Sequence, residues 1–104
     1  MTRNEHLLTI LAEECCEIAQ RATKILRFGA NEVQPGQEKT NVERLIGEVN
    51  DFTATYLMLT AENAELFKGD QAAWLEGIRK KQEKIEHFLQ YSAKCGTLET
   101  KEKT

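Results

Sequence analysis

Residues 4–27 read NEHLLTILAEECCEIAQRATKILR, an uninterrupted helical pattern that decides the fold class. Apolar residues recur in it at spacings of three, four and seven and form one stripe, which consists of Leu7, Leu11, Ile18, Ala22 and Ile25. Gly29 follows the last residue of this stripe and is a typical helix stop. The pattern therefore predicts an amphipathic helix over residues 4–27.

Two further segments have the same helical period. The second is expected to begin at Asn41, with Thr40 or Asn41 itself as the N-cap, and to continue to Lys68. The third follows Asp70, a good N-cap residue, and ends near Gly96. The apolar stripes are Leu45, Val49, Phe52, Tyr56 and Leu59 in the second segment, and Trp74, Ile78, Ile85 and Phe88 in the third. No segment alternates as a strand does, so the sequence predicts an all-α fold.

The length of the chain indicates how these helices are covered. The chain has 104 residues, of which 40% are hydrophobic and 30% are charged. A domain of this size buries only about 60–65% of its unfolded surface, so a single copy covers three long apolar stripes poorly. We therefore expect an antiparallel helical bundle over residues 1–96 that is completed by dimerisation, as a homodimer or homotetramer. A polar C-terminal tail is expected over residues 97–104.

Charge and hydropathy argue against several classes of partner. The net charge of −3 at pH 7 is unlike that of a protein that binds a nucleic acid polymer through a broad basic face. No apolar run approaches the roughly 20 residues that cross a bilayer, and the N-terminal residues lack the layout of a signal peptide. Cys15 and Cys16 are adjacent, and neighbouring cysteines rarely satisfy disulfide geometry. We expect a cytoplasmic protein that binds neither a nucleic acid polymer nor a membrane.

The most informative pattern is a pair of acidic motifs, EECCE at residues 13–17 and EVND at residues 48–51. Each motif carries two carboxylates three residues apart, which project from one helix face. Helical geometry places Glu14 about 60° and Glu48 about 80° from the centre of its own apolar stripe, so these acids border the core. In an antiparallel hairpin closed by the 28–40 loop, both pairs fall within about one turn of the same level. The sequence thus predicts a carboxylate cluster of Glu14, Glu17, Glu48 and Asp51.

Such a cluster indicates a bound cation. Facing carboxylates repel one another by roughly 1–4 kcal/mol per close pair near a surface. Their hard oxygen ligands favour Mg²⁺, with Mn²⁺ as the alternative, over zinc or copper. A di-iron centre is disfavoured because neither His6 nor His87 lies three residues after a glutamate. The competing interpretation is a solvated acidic face whose two pairs lie on adjacent helices by accident.

The two motifs resemble the Glu-Glu-x-x-Glu and Glu-x-x-Asp signature of the MazG-like family of all-α nucleoside triphosphate pyrophosphohydrolases. The resemblance covers roughly residues 7–90, and the segment KILRFG at residues 24–29 is similar to small single-domain members, including viral ones. Thirty residues separate the two motifs, slightly more than is usual in that family. The resemblance implies that the Mg²⁺ ligands are Glu14, Glu17, Glu48 and Asp51.

The resemblance also implies the reaction. Water attacks the α-phosphorus of a nucleoside or deoxynucleoside triphosphate, pyrophosphate leaves, and the monophosphate remains. Mg²⁺ polarises the phosphate oxygens and lowers the pKa of the attacking water, and a carboxylate takes the proton. Glu13 lies beside the ligands and is a candidate for orienting water or a metal ligand, its alternative being an exposed helix charge.

Basic residues are candidates for binding the triphosphate. Arg44 lies one turn before the second acidic motif, where it either helps to bind the nucleotide or forms an ordinary ion pair along the helix. Lys81 falls within the apolar stripe of the third helix and Lys84 at its edge. The resemblance places nucleotide contacts on that helix, although a lysine there also reaches solvent easily. Lys24 and Arg27 either contact phosphate or complement the C-terminal dipole of the first helix.

Two interpretations from other functional classes stay open. One is a non-catalytic helical interaction module that uses the acidic face for a partner. The other is a metal-dependent nucleotide-binding module without turnover. The presence of all four ligand positions favours an enzyme over both.

Overall fold

The computed structural model describes residues 1–100 and contains three helices. They are α1 (Arg3–Phe28), α2 (Asn41–Glu62) and α3 (Gln71–Cys95). No strand occurs within these described residues, so the predicted all-α class is confirmed. None of the three helices combines the length and apolar character that a membrane crossing requires. Of the predicted tail, residues 101–104 lie outside the described residues.

The chain divides into two compact units, each of which is described by itself. The first unit, Met1–Phe67, contains α1 and α2. The second unit begins at Lys68 and contains α3. The single helical domain over residues 1–96 and its completion by dimerisation stay predictions.

Both helices of the first unit begin at a threonine that forms a capping box. The Thr2 hydroxyl accepts a hydrogen bond from the Glu5 N–H at 3.2 Å, and the Glu5 carboxylate accepts one from the Thr2 N–H at 2.9 Å. Thr40 and Glu43 repeat the arrangement at 3.1 and 3.0 Å. These bonds from the threonine backbone and side chain lower the pKa of each glutamate. Because the box satisfies N–H groups that have no partner within the helix, it fixes both helix starts.

The C-terminal end of α2 differs from the prediction, since the helix ends at Glu62 rather than at Lys68. Asn63 leaves the helical conformation with a φ of −133°. Its side-chain amide donates to the Leu59 carbonyl at 2.9 Å and to the Asn4 amide oxygen at 3.0 Å. The helix is therefore ended by a contact with α1, which the local sequence pattern does not reveal.

The two helices of the first unit pack as an antiparallel hairpin. Arg3 near the start of α1 binds Glu62 at the end of α2, with 2.7 Å between Nε and Oε1. Asn41 at the start of α2 binds the Gly29 carbonyl beyond the end of α1. Between these ends, one series of buried and half-buried residues on each helix has spacings of four and three, as in a coiled coil. We call them the seam: Leu7, Leu11, Glu14, Ile18, Arg21 and Ile25 of α1, and Asn41, Leu45, Glu48, Phe52, Thr55 and Leu59 of α2.

The seam corrects the predicted apolar stripes at two places. In α1, Ala22 is exposed and its neighbour Arg21 is buried. In α2, Val49 is 42% exposed whereas Thr55 is 7% exposed. The predicted stripes follow residue type, whereas the most deeply buried positions of this hairpin follow the four-three spacing and include charged and polar side chains.

The helix of the second unit follows its local signals closely. The Asp70 carboxylate accepts from the Ala73 N–H at 2.7 Å, and Gly96 ends α3 in the left-handed conformation with a φ of 81°. Both predicted ends of this helix are confirmed. No residue of α3 is buried, and its predicted apolar stripe is between 40% and 50% exposed at Trp74, Ile78, Ile85 and Phe88.

Asn41 holds the loop over residues 29–40 against the start of α2, and its removal gives a testable loss of stability. Asn41 is 1% exposed, and its side-chain amide donates to the Gly29 carbonyl and to the Glu32 carboxylate, each at 2.9 Å. Asn41→Ala removes both of these hydrogen bonds, so we expect the free energy of unfolding in urea to fall by about 1–3 kcal/mol. Asn31→Ala makes the same change at an exposed loop position, and its expected effect is within about 0.5 kcal/mol. Equal losses in the two variants would count against this role for Asn41.

Candidate metal centre

Three carboxylates from α1 and α2 converge near the middle of the hairpin. One oxygen from each of Glu14, Glu17 and Glu48 lies within 4.8 Å of the other two. Glu14 and Glu48 are seam residues on opposite helices, and Glu17 lies one turn after Glu14 on the exposed side of α1. The antiparallel packing of two i, i+3 acidic pairs therefore brings carboxylates together, as the sequence predicts.

Two carboxylate oxygens of this cluster are buried without a hydrogen-bond partner. They are Oε2 of Glu14 and Oε2 of Glu48. A buried carboxylate oxygen has lost its hydration, and this is costly unless a donor or a cation replaces the water. Such oxygens are the kind of group that a bound cation satisfies.

Charge repulsion within the cluster is visible at Glu17. The Glu48 carboxylate raises the pKa of Glu17, first because it can accept a hydrogen bond from the protonated form of Glu17 and then through its negative charge. The charge of Asp51 acts in the same direction, and that of Arg21 acts against it. Asp51 is exposed and is not one of the three converging residues, so it lies beside the cluster as a nearby negative charge.

The donor set fits a hard divalent cation. All of its ligand atoms are carboxylate oxygens, which suit Mg²⁺ or Mn²⁺. Oxygens on opposite sides of a Mg²⁺ ion are about 4.2 Å apart, because each bond is about 2.1 Å long. At most one pair of the three oxygens can lie on opposite sides, and neighbouring ligands are about 3.0 Å apart. The three oxygens, which lie within 4.8 Å of one another, would therefore draw closer together around one ion. The buried oxygens without partners point to the same kind of ligand.

A cleft of about 490 Å³ adjoins the α2 side of the cluster. Its lining includes Glu48 and Asp51 together with two cations, Lys39 and Arg44. Nη1 of Arg44 donates to the side-chain carbonyl of Gln34 at 3.2 Å. Across residues 1–100 no ion pair within 4.0 Å joins Arg44 to Glu48, so the ordinary helix pair is not formed. Lys39 was not among the candidate phosphate-binding residues predicted from the sequence. Its position directly before the N-cap of α2 could have indicated that it lies near the site.

Lys24 and Arg27 line a second cleft, of about 260 Å³, at the C-terminal end of α1. The Arg27 guanidinium lies 4.7 Å from the centre of the Phe28 ring, a cation–π distance. Arg27 also lies in the last turn of α1, where a cation complements the helix dipole. The structure supports this structural role for Arg27, and phosphate binding by either residue stays a prediction.

The remaining predicted residues lie outside the three converging carboxylates. Glu13 is an exposed residue of α1. Lys81 and Lys84 are exposed residues of α3, and Lys81 lines a shallow groove with Trp74 and Ile78. Lys81 is exposed, so it reaches solvent as a lysine on an apolar stripe commonly does. Its role and that of Lys84 in binding phosphate stay predictions.

One charged residue near the cluster was missed from the sequence. Arg21 is 8% exposed, and its Nη1 is buried without a hydrogen-bond partner. Its position was a usable signal, because it lies three residues after Ile18 and four before Ile25 on the apolar stripe.

No protein-family model matches the chain, and no curated protein or solved structure matches it either. The resemblance to MazG-like enzymes accordingly rests on the two acidic motifs.

Proposed function

We propose that the chain is a nucleoside triphosphate pyrophosphohydrolase that depends on Mg²⁺ or Mn²⁺. The observation that carries this proposal is the convergence of Glu14, Glu17 and Glu48, with two buried oxygens that have no partner. Repulsion within such a cluster lowers the stability of the fold unless a cation binds, and clusters of this kind are typical of functional sites. The MazG-like motifs supply the reaction class. Because nucleoside triphosphates and Mg²⁺ occur together in the cytoplasm, this function supports a cytoplasmic location for the chain.

The ligands of the cation would be the three converging glutamates, with Asp51 contributing from the next turn of α2. When bound, the ion polarises phosphoryl oxygens, stabilises the negative charge that develops in the transition state and acidifies a bound water. The cleft beside Glu48 provides room for the triphosphate. Arg44 and Lys39, which line that cleft, would neutralise its phosphates.

The proposed reaction consumes one water and breaks one phosphoanhydride bond of the substrate. The water oxygen bonds to the α-phosphorus, the bond from that phosphorus to the bridging oxygen breaks, and pyrophosphate leaves with the electron pair. Glu13, exposed beside the ligand Glu14, would orient the water and accept its proton, which then passes to solvent. The products are a nucleoside monophosphate and pyrophosphate.

A screen for pyrophosphate release tests the proposal. The purified chain is incubated with the common and damaged ribonucleoside and deoxyribonucleoside triphosphates, with Mg²⁺ or Mn²⁺ and with a chelator as control. We expect release from at least one of these substrates that requires the metal and stops with the chelator. Absence of release from every substrate with both metals would contradict the enzyme and favour the interaction or binding module.

We further infer that a second copy of the chain covers α3. This helix carries an apolar stripe but has no buried residue. Helices in proteins gain most of their stability when such an apolar face packs against another surface. A homodimer or homotetramer would cover the stripe. In that assembly Lys81 and Lys84 are candidates for the basic contacts to substrate that the resemblance places on this helix.

Sedimentation equilibrium at micromolar concentration tests the assembly. We expect a mass of two or four times the 11.9 kDa of one chain. Ile78→Glu places a charge on the exposed apolar stripe and should reduce the mass to that of one chain. Gln90→Glu adds the same charge at an exposed polar position of α3 and should leave the mass unchanged. A wild-type mass of 11.9 kDa would count against the assembly.

A further inference from the structure

Arg21 is a buried cation of the seam that neither hydrogen bonds nor ion pairs account for. It is 8% exposed, and its Nη1 is buried without a partner. In the described part of the chain, the ion pairs within 4.0 Å involve Arg3 and Arg79, and none involves Arg21. A buried guanidinium that makes no such contact is unfavourable on its own, so its place in the seam calls for an explanation.

The position of Arg21 relates it to the carboxylate cluster. It lies one helical turn after Glu17 and two turns after Glu14. Side chains on a helix lean toward its N-terminus, so the long Arg21 side chain extends toward the turn that carries Glu17. The charge of Arg21 acts to lower the pKa of Glu17, in accord with this placement.

We infer that Arg21 is a fixed internal counter-ion of the carboxylate cluster, and that its charge limits how tightly the cluster binds a divalent cation. Without the cation, Arg21 offsets part of the repulsion among Glu14, Glu17 and Glu48. With the cation, two positive charges share one group of carboxylates and repel each other. The inference rests on the proposed metal centre but not on hydrolysis.

The absence of a close ion pair at Arg21 indicates how its replacement would change cation binding by the carboxylate cluster. Because no carboxylate oxygen of residues 1–100 lies within 4.0 Å of the Arg21 guanidinium, Arg21 does not hold the glutamates in place through hydrogen bonds. Replacing it with an apolar side chain therefore changes the charge at the cluster more than its geometry. Its buried Nη1 also distinguishes Arg21 from Arg44 and Lys39, the two cations that line the cleft.

Titration of the chain with Mn²⁺ in the absence of nucleotide tests the metal half of the inference. Arg21→Met should lower the Kd for Mn²⁺ by about three- to tenfold, because a like charge is removed. Arg21→Lys keeps the charge and should stay within about twofold of the wild type. Arg3→Met removes the same charge near the start of α1, where Arg3 pairs with Glu62, and should also stay within about twofold. An unchanged or higher Kd in Arg21→Met would overturn the inference.

Urea unfolding without metal tests the other half of the inference, that Arg21 offsets repulsion among the carboxylates. Arg21→Met relieves the cost of burying the guanidinium in either background, so the counter-ion effect is the difference between the two backgrounds. Relative to its shift in the Glu17→Gln background, where fewer negative charges repel one another, Arg21→Met in the wild-type background should shift the unfolding midpoint toward lower urea. Equal shifts in the two backgrounds would overturn this half. A wild type that binds no Mn²⁺ would overturn both the metal centre and the inference. A chain that binds Mn²⁺ without releasing pyrophosphate would overturn the proposed activity alone.

Discussion

Glu48→Gln is expected to lower kcat/KM for pyrophosphate release at least about 100-fold at saturating Mg²⁺, or about 2.7 kcal/mol of transition-state stabilisation. Glu48 is the α2 member of the three converging carboxylates, and its Oε2 is buried without a partner. The amide keeps the shape of the side chain but removes one ligand charge. Because the amide also donates a hydrogen bond toward the neighbouring carboxylates, we expect the metal-free variant to be at least as stable as the wild type.

Glu65→Gln is the matched control for this variant, since it makes the same change at an exposed glutamate of the first unit outside the cluster. Its activity should stay within about twofold of the wild type. Circular dichroism and the urea midpoint establish that Glu48→Gln is folded, so that its loss of activity reports on the site. Full activity in Glu48→Gln would contradict the assignment of this carboxylate to the metal centre.

Leu59→Ala is expected to lower the free energy of unfolding by about 2–5 kcal/mol. Leu59 is 1% exposed, and within residues 1–100 only Leu7 and Leu59 are buried apolar residues. The hairpin core is therefore thin, and a loss of this size is a large part of the roughly 5–15 kcal/mol that stabilises an ordinary domain. Urea unfolding, measured at several protein concentrations because assembly adds to stability, gives the value.

The control for this variant is Leu26→Ala, an identical change at a residue of α1 that is 86% exposed. We expect its effect to be within about 0.5 kcal/mol. A Leu59→Ala loss below about 1 kcal/mol would contradict the packing of the hairpin described here. Binding of Mn²⁺ should weaken in parallel with unfolding, because the ligands come from both helices of the hairpin.

Helix ends were predictable where the signal was local. The α3 helix begins after Asp70 and ends at Gly96 as predicted, because an N-cap carboxylate and a left-handed glycine act through the adjacent backbone. The end of α2 was not predictable in this way. Asn63 ends that helix while binding Asn4, a residue of α1 far away in the sequence, and the apolar pattern after it continues through Phe67.

Part of the candidate site was predictable from residue spacing along the two helices, and part was not. The spacing of Glu14, Glu17 and Glu48 indicated convergence, because i, i+3 pairs on two antiparallel helices reach the same level. Arg21 was missed because an apolar stripe excludes charged residues by definition, whereas the four-three spacing of the seam does not. The exposure of Asp51 depends on how far the two helices rotate toward each other, which the sequence pattern does not specify.

Hydrolysis of a nucleoside triphosphate in oxygen-18 water, with the products resolved by mass spectrometry, tests the central claim most directly. The label marks the phosphorus that water attacks, and the products show which bond breaks. The account predicts one labelled oxygen in the nucleoside monophosphate and none in the pyrophosphate, with no reaction when Mg²⁺ and Mn²⁺ are removed. Label in the pyrophosphate, or release of inorganic phosphate with a nucleoside diphosphate, would contradict it.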